Sequence, residues 1–447
     1  MKTSKKPIFW YVPLALLFYS CAPDEDLYTE VSIDAELESQ IVALAGSLGA
    51  LVLPENDNLG DIPADPSNPL TQEKVALGQL LFHETGLGTV PEMQLGVRTY
   101  SCASCHNPGS GFQSGLRQGI GEGGIGFGQS GESRVVNPLY DADRVDVQAI
   151  RPPTILNAAF QDVVLWNGEL GGVKTNAGTQ ANWTPGTPRE NNSLGFEGLE
   201  TQAIAGMGVH RLSVSPELVE NGPYKSFFDN AFPDVPEEYR YTDFQAAMAI
   251  SSFVRTVMAT EAPFQKWLKG DRRYLSEAEK EGALLFFGKA NCYACHNGPG
   301  FNGMAFHALG MPDFNESQVH GEVPETVKKG RGGFTNNPED DYKFKTPTLY
   351  NLSDVQFLGH GGSFGTVKQV IEYKNNAIAE NTDVPQSQLS EHFVPLELSP
   401  EEIEKLALFL NNGLRDPDLE RFVPVTLPTG NCFPVADEEG RGDLGCN

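Results

Sequence analysis

Apolar positions recur at helical spacing in several stretches of the chain. One pattern opens at Leu70-Thr71 and runs through Val75, Leu77, Leu80, Leu81 and Phe82. Another opens at Leu275-Ser276 and runs through Ala283, Leu284, Phe286 and Phe287. Longer patterns cover Tyr241 to Thr260 and Ser399 to Leu414. Ser276 and Glu279 have capping-box spacing, and Ser399, Pro400 and Glu402 supply a cap, a proline at the first helical position and a capping-box acid. The run from Ile8 to Tyr19 is different: it is continuously apolar, follows Lys2, Lys5 and Lys6, and is too short to span a bilayer. It reads as an export signal over residues 1–21. The run ends at Ser20-Cys21, and a cysteine there predicts a lipid-anchored protein, although Phe18 and Tyr19 are larger than the residues usual before such a cysteine. Pro23, Asp24, Glu25 and Asp26 then read as a tether. No later stretch is apolar enough for a membrane span, so an exported soluble body is expected, in the periplasm or at the cell surface and anchored to the outer membrane.

Composition sharpens this picture in two ways. With 47 glycines and 31 prolines in 447 residues, long loops are expected between the helices. A formal net charge of −27 argues against a nucleic-acid partner, since a polyanion is repelled.

The seven cysteines carry the chemistry. Cys21 is the lipidation candidate. Cys102 and Cys105 lie in Cys-Ala-Ser-Cys-His, and Cys292 and Cys295 lie in Cys-Tyr-Ala-Cys-His. Cys-x-x-Cys-His is the attachment signature of c-type haem: two thiols add across the vinyl groups, and the adjacent histidine sits under the iron. A redox dithiol needs no histidine there, and a zinc site needs two further ligands at short spacing. At this composition the pentapeptide arises by chance roughly a few times per million positions. Two copies therefore predict two covalent haems, with His106 and His296 as proximal ligands. Cys432 and Cys446 are left to form a disulfide, worth about 3 kcal/mol in the chain-entropy model.

The surroundings of the two motifs repeat. Each follows a helix and exits through Cys-His-Asn into Gly and Pro. Pro153-Thr154-Ile155-Leu156-Asn157 is matched by Pro347-Thr348-Leu349-Tyr350-Asn351. Nine residues beyond each asparagine stand Trp166 and His360, each followed two residues later by glycine. The expected fold is mainly α, with two tandem cytochrome-c-like domains at residues 54–262 and 263–415, a helical segment and tether at 22–53, and a tail at 416–447. The boundary is expected near Ala262 to Asp271. Gly119, Gly121 and Gly124 match G-x-G-x-x-G, but no βαβ unit surrounds them, so they are read as backbone running close to a porphyrin face or over the surface.

These motifs, their order and their spacing make the chain resemble the bacterial di-haem cytochrome c peroxidases and the related enzyme that matures methylamine dehydrogenase. The resemblance covers roughly Pro54 to Leu414. It implies a peroxidatic haem on His106, an electron-relay haem on His296, and a tryptophan between them, matched by Trp166. It also implies a glutamine on the peroxide side, matched by Gln202. Hydrogen peroxide as acceptor, a small cytochrome c or cupredoxin as donor, and a homodimer follow from the same resemblance.

Three departures from that family stand out. No histidine occurs from Asn107 to Val209, which predicts a reactive haem open to an outside ligand. The family's catalytic glutamate is replaced by Leu212; His210 is the nearest titratable group able to move a peroxide proton, and Arg211 beside it is expected to stabilise the leaving hydroxide. The distal ligand of the relay haem is expected among Tyr373, Lys374 and His360, with Met304, His307 and Met311 as further candidates. Calcium is doubtful, because Arg151, Val355 and Phe357 replace the family's ligands, although backbone oxygens could form a site. The competing readings are a di-haem oxidase of a protein or organic substrate and a non-enzymatic electron-transfer cytochrome.

Overall fold

The computed structural model describes residues 32–446, together with Met1 and Ser4. The expected export signal, apart from Met1 and Ser4, and Cys21 lie outside the described residues. The chain falls into two units, Met1–Ser32 and Ile33–Asn447. The second is mainly helical and carries every element below. No helix among the described residues is long and apolar enough to cross a membrane.

Helix α1 (Ile33–Ala45) buries Leu37 and Ile41. Helix α2 (Gln72–His83) begins at Thr71, whose side chain accepts from the Lys74 amide, and buries Leu77, Leu81 and Phe82. Helix α3 (Gly198–Val209) carries Gln202, and α4 (Asp243–Thr256) is capped by Thr242. A short helix α5 (Pro263–Leu268) follows. Helix α6 (Glu277–Phe287) has the capping box expected of Ser276 and Glu279. Helix α7 (Val367–Asn376) carries Lys374, and α8 (Pro400–Leu408) has the expected capping box of Ser399 and Glu402. Two short antiparallel pairs complete the fold: β1 (Gly124–Ile125) with β2 (Val135–Val136), and β3 (Phe306–His307) with β4 (Phe344–Lys345).

The sequence repeat is also a repeat of contacts. A Cβ on Gly78 of α2 would lie 1.9 Å from the Ala249 carbonyl oxygen and 2.9 Å from Phe253 Cβ on α4. A Cβ on Gly282 of α6 would lie 2.1 Å from the Lys405 carbonyl oxygen, and 2.9 Å from Phe409 Cβ just past α8. In each half only glycine lets the two backbones approach this closely. The Pro-Thr-x-x-Asn segments match as well. Thr154 and Thr348 donate to the carbonyls of Gly111 and Gly300, each at 2.7 Å. Asn157 and Asn351 are left-handed, with φ of 58° and 57°, a conformation asparagine tolerates. Their side-chain oxygens accept the amides of Ala259 and Asp416. Their own amides donate to the carbonyls of Val257 and Leu414.

Those bonds explain why two helices end before their apolar patterns do. Helix α4 stops at Thr256 because the next residues turn to Asn157. Helix α8 stops at Leu408, and a wider π turn over Phe409–Gly413 leads to Asn351. The stretch from Ala262 to Leu268 is core: Phe264 and Trp267 of α5 are fully buried, and Gln265 bonds the backbone of Leu51 and Leu53 and the Tyr350 hydroxyl.

The C-terminal tail returns to the first haem motif, which its sequence did not announce. The hydroxyls of Ser101 and Ser104 donate to the Pro434 carbonyl at 2.8 and 2.9 Å. Asp437 pairs with the buried Arg134, which also donates to the carbonyls of Ile120 and Gly121. Cys432 and Cys446 are disulfide-bonded.

Candidate functional site

Both Cys-x-x-Cys-His motifs open on one cavity of about 750 Å³. Each motif is a single 3₁₀ turn, Cys102–Ser104 and Cys292–Ala294, which brings both cysteines of a pair to the cavity wall. All four thiols are free. Burial pushes Cys102 and Cys105 up to about 12 and Cys292 up to about 11, and raises Cys295. A redox dithiol needs the opposite shift. Gly119 presses on the first motif, where a Cβ would come within 2.9 Å of the Cys105 sulfur.

The two motif histidines are prepared alike. His106 Nδ1 donates to the Phe112 carbonyl at 3.1 Å. His296 Nδ1 shares the carbonyls of Phe301 and Pro347 at 3.2 and 3.1 Å. With Nδ1–H committed, Nε2 keeps its lone pair for a metal. Burial pushes His106 down to about 4 and His296 down to about 3, so both rings are neutral, as ligands must be. The thiol pairs, the oriented histidines and the apolar cavity together fit haem.

Gln202 and Gly206 of α3, and His210 that caps its C-terminus, line the same cavity, with His210 near enough to act on His106. The helix is held by Arg255 of α4, whose Nε and Nη2 donate to both oxygens of the buried Glu200 at 2.9 and 2.6 Å. Gly206 separates the two polar side chains: a Cβ there would lie 3.3 Å from Gln202 Nε2 and 3.9 Å from His210 Cδ2. His210 Nδ1 lies 2.8 Å from Asp146 Oδ2. Burial disfavours its charged form, but the Asp146 carboxylate outweighs burial and raises the imidazole above its ordinary value. Leu212 also lines the cavity. Arg211 does not: left-handed at φ 54°, it turns its guanidinium onto the buried Glu122. The expectation that Arg211 serves peroxide is therefore corrected.

Opposite the second motif the candidates separate. Lys374 lines the cavity and has no hydrogen bond or ion pair among the described residues. Burial holds its amine below the usual range, partly offset by Cys292 and Cys295. Tyr373, expected as an alternative ligand, is corrected. One residue away on α7, it faces the core, and its hydroxyl donates to the Leu309 carbonyl at 2.6 Å. His360 lines the cavity as well; its Nε2 is 3.0 Å from Asp313 Oδ1, and its ring stacks on Phe344 at 3.7 Å. His307 and Met311 line the cavity, Met304 does not, and His307 Nε2 is buried without a partner.

Trp166 lies on the same cavity wall, its indole N–H donating to the Arg151 carbonyl at 2.8 Å and its ring edge-on to His360 at 6.2 Å. Arg151 itself is buried. Its guanidinium donates to Gln113 Oε1 and to the carbonyls of Ser114, Leu116 and Arg117, which occupies the backbone oxygens nearest it. Sequence reasoning missed Asp146 and Lys345, because neither sits in a motif. Lys345 lines the cavity, donates its amide to the Trp166 carbonyl at 2.7 Å and its Nζ to Gln161 at 2.7 Å, and is pushed down to about 7 by burial.

Comparison with known proteins agrees with this geometry. Residues 72–273 match the family described as di-haem cytochrome c peroxidase. The chain is 31% identical over 355 residues to the methylamine utilization protein MauG of Methylophilus methylotrophus, covering 78% of this chain and 85% of that one. It is 28% identical over 382 residues to the cytochrome-c peroxidase IdrP1 of Pseudomonas sp. strain SCT, covering 79% and 83%. A crystal structure of a MauG-like protein associated with microbial copper homeostasis shares the fold, with a TM-score of 0.56 at 22% identity over 82% of this chain and 95% of that one. The chain belongs to the di-haem cytochrome c peroxidase family, whose cofactor is haem and whose chemistry is oxidation and reduction.

Proposed function

We propose that the protein is a di-haem c-type peroxidase that reduces hydrogen peroxide with electrons from a small cytochrome c or cupredoxin. The observation that carries this reading is the asymmetry of the two sites. Gln202 and His210 line the cavity on the His106 side, whereas the Lys374 amine and the His307 imidazole act on His296. Cys102 and Cys105 would hold the first haem by thioether bonds, and Cys292 and Cys295 the second, with His106 and His296 as proximal ligands. Haem iron supplies the redox chemistry when bound.

The chain's own residues do the rest. Gln202, whose amide makes no protein hydrogen bond among the described residues, orients peroxide by donating to it. His210 accepts a proton from one peroxide oxygen and returns it to the other, which leaves as water. Trp166, between the sites, shortens the path for electrons arriving from the His296 side. Lys374 would hold the iron on that side through its neutral amine, and a nitrogen donor would favour the ferric state relative to methionine. Calcium has no part in this reading, because Arg151 is the fixed cation beside the first site. An exported, lipid-anchored protein at the outer membrane and a homodimer complete the proposal, resting on the sequence alone.

Leu212, in place of the family's glutamate, favours a second reading in which a protein or organic molecule is the substrate oxidised. Stopped-flow mixing with hydrogen peroxide, with and without a reduced donor cytochrome, separates them. Rapid peroxide reaction with turnover of the donor supports the peroxidase. Reaction with peroxide but no donor oxidation supports the second reading. No reaction with peroxide overturns both.

A further inference from the structure

The peroxide-side base in the reading above is a histidine, and a histidine has two ring nitrogens. What decides its orientation is a residue outside every motif. Asp146 is buried, and its Oδ2 lies 2.8 Å from His210 Nδ1. The aspartate is itself held fast. Its amide donates to the Glu122 carbonyl and its carbonyl accepts the Gly121 amide, both at 2.9 Å. Gly121 leaves the carboxylate its room, since a Cβ there would stand 2.4 Å from Oδ2. His210 is pinned from the other side, where the Tyr100 hydroxyl donates to its carbonyl at 2.9 Å. With Nδ1 taken, the Cδ2–Nε2 edge of the ring is the one turned to Gly206 and Gln202.

We propose that Asp146 is a positioning residue for peroxide cleavage, holding His210 in the tautomer whose Nε2 faces the cavity and stabilising the imidazolium formed when Nε2 takes a proton. This rests on the peroxidase reading and names the part of the site that makes a histidine adequate where the family uses a glutamate. The step balances: His210 Nε2 takes one proton from one oxygen of hydrogen peroxide and gives it to the other as the O–O bond breaks. The departing oxygen leaves as water; the haem would supply the two electrons, the donor protein would replace them, and with two protons from solvent the remaining oxygen would also leave as water, so that one hydrogen peroxide, two protons and two electrons give two waters.

The charged and titratable groups facing His210 are Asp146, Arg211 and, across the cavity, His106, with Tyr100 beneath its carbonyl. Arg211 is neutralised by Glu122. Asp146 is therefore the group that raises the imidazole, and removing its charge must lower it. A base with a lower pKa stays deprotonated to lower pH, so the acid limb of the rate profile moves down.

The test is the second-order rate constant for hydrogen peroxide, measured on the di-haem holoprotein from pH 4 to 9. In Asp146→Asn the rate at the plateau is expected to fall about tenfold or more. The acid limb moves to lower pH, and the oxidised spectrum is unchanged. In a His210→Ala background the same substitution is expected to add nothing, as for residues acting as a unit. An unmoved acid limb, or an equal loss in the His210→Ala background, overturns the proposal. If Asp146→Asn yields no holoprotein, Gly121→Ala decides in its place, because its Cβ displaces the carboxylate from Nδ1. An unmoved limb there also overturns it. Impaired His210→Ala with a silent Asp146→Asn removes only the role of Asp146. Full activity in His210→Ala removes the proton-transfer reading itself.

Discussion

The two halves of the molecule build the same cradle and then face it with different chemistry. Glycine at the helix crossing, a Cys-x-x-Cys turn, a histidine with Nδ1 committed to carbonyls, and a left-handed asparagine recur at matching places. The walls opposite do not recur. The first offers an amide and a histidine–aspartate pair, the second a buried amine. The cradle specifies a cofactor, and a few side chains across the cavity specify what each copy does with it.

The sharpest way to break this contrast is at the first site. His210→Ala is expected to slow peroxide reaction by about 10²–10⁴-fold, the usual contribution of general acid–base catalysis, while spectra of the His296 centre stay as they were. Stopped-flow absorbance checks both.

The matching change at the second site is Lys374→Ala, which should convert that centre from six- to five-coordinate while leaving the His106 centre alone. The pH dependence has a definite sign. Only the neutral amine can bind a metal, and burial lowers its pKa, so the amine serves from below its ordinary titration range upward. Acidification through the folded-state value should protonate Lys374 and produce the spectrum of the alanine variant. Electron paramagnetic resonance during an acid titration follows this.

The shared scaffold predicts a symmetric response. Gly78→Ala and Gly282→Ala each force a methyl group against backbone carbonyl oxygen, at 1.9 and 2.1 Å. Each should cost about 1–3 kcal/mol by overpacking. Unfolding should begin in the half that carries the change, as read by thermal unfolding followed at each centre.

The smallest effect concerns the wall between the sites. Burial lowers Lys345 to about 7, so between that value and its unfolded value near 10.5 the unfolded chain binds more protons than the folded one. Stability therefore rises with pH across this window. Lys345→Met should stabilise the protein by roughly 1–3 kcal/mol below pH 7 and by much less near pH 10, as chemical denaturation at the two pH values reports.

Much of the cradle was legible in the chain. The Cys-x-x-Cys-His motifs, the capped helices at Thr71, Ser276 and Ser399, and the paired Pro-Thr-x-x-Asn segments are local patterns, and local patterns survive folding. The walls were harder to read, because a wall is made by side chains that meet from distant segments. Tyr373 and Lys374 are neighbours on one helix, and only the packing of α7 shows which of them looks into the cavity. His360 lines the cavity, and only the fold shows that Asp313 and Phe344 stand around its ring. Asp146 stands 64 residues from His210 and carries no spacing signal. Arg211 looked useful by adjacency, yet its left-handed backbone turns it to Glu122. The buried α5 at the expected boundary shows the same limit, since Gln265 finds its partners in Leu51, Leu53 and Tyr350.

One spectrum bears on the central asymmetry more directly than any variant: electron paramagnetic resonance of the fully oxidised native protein at neutral pH. Two unequal iron signals are expected, one high-spin from a centre with an open face above His106, and one low-spin from a centre ligated by His296 and Lys374. Two low-spin signals, each from an iron held by protein on both faces, would contradict the account.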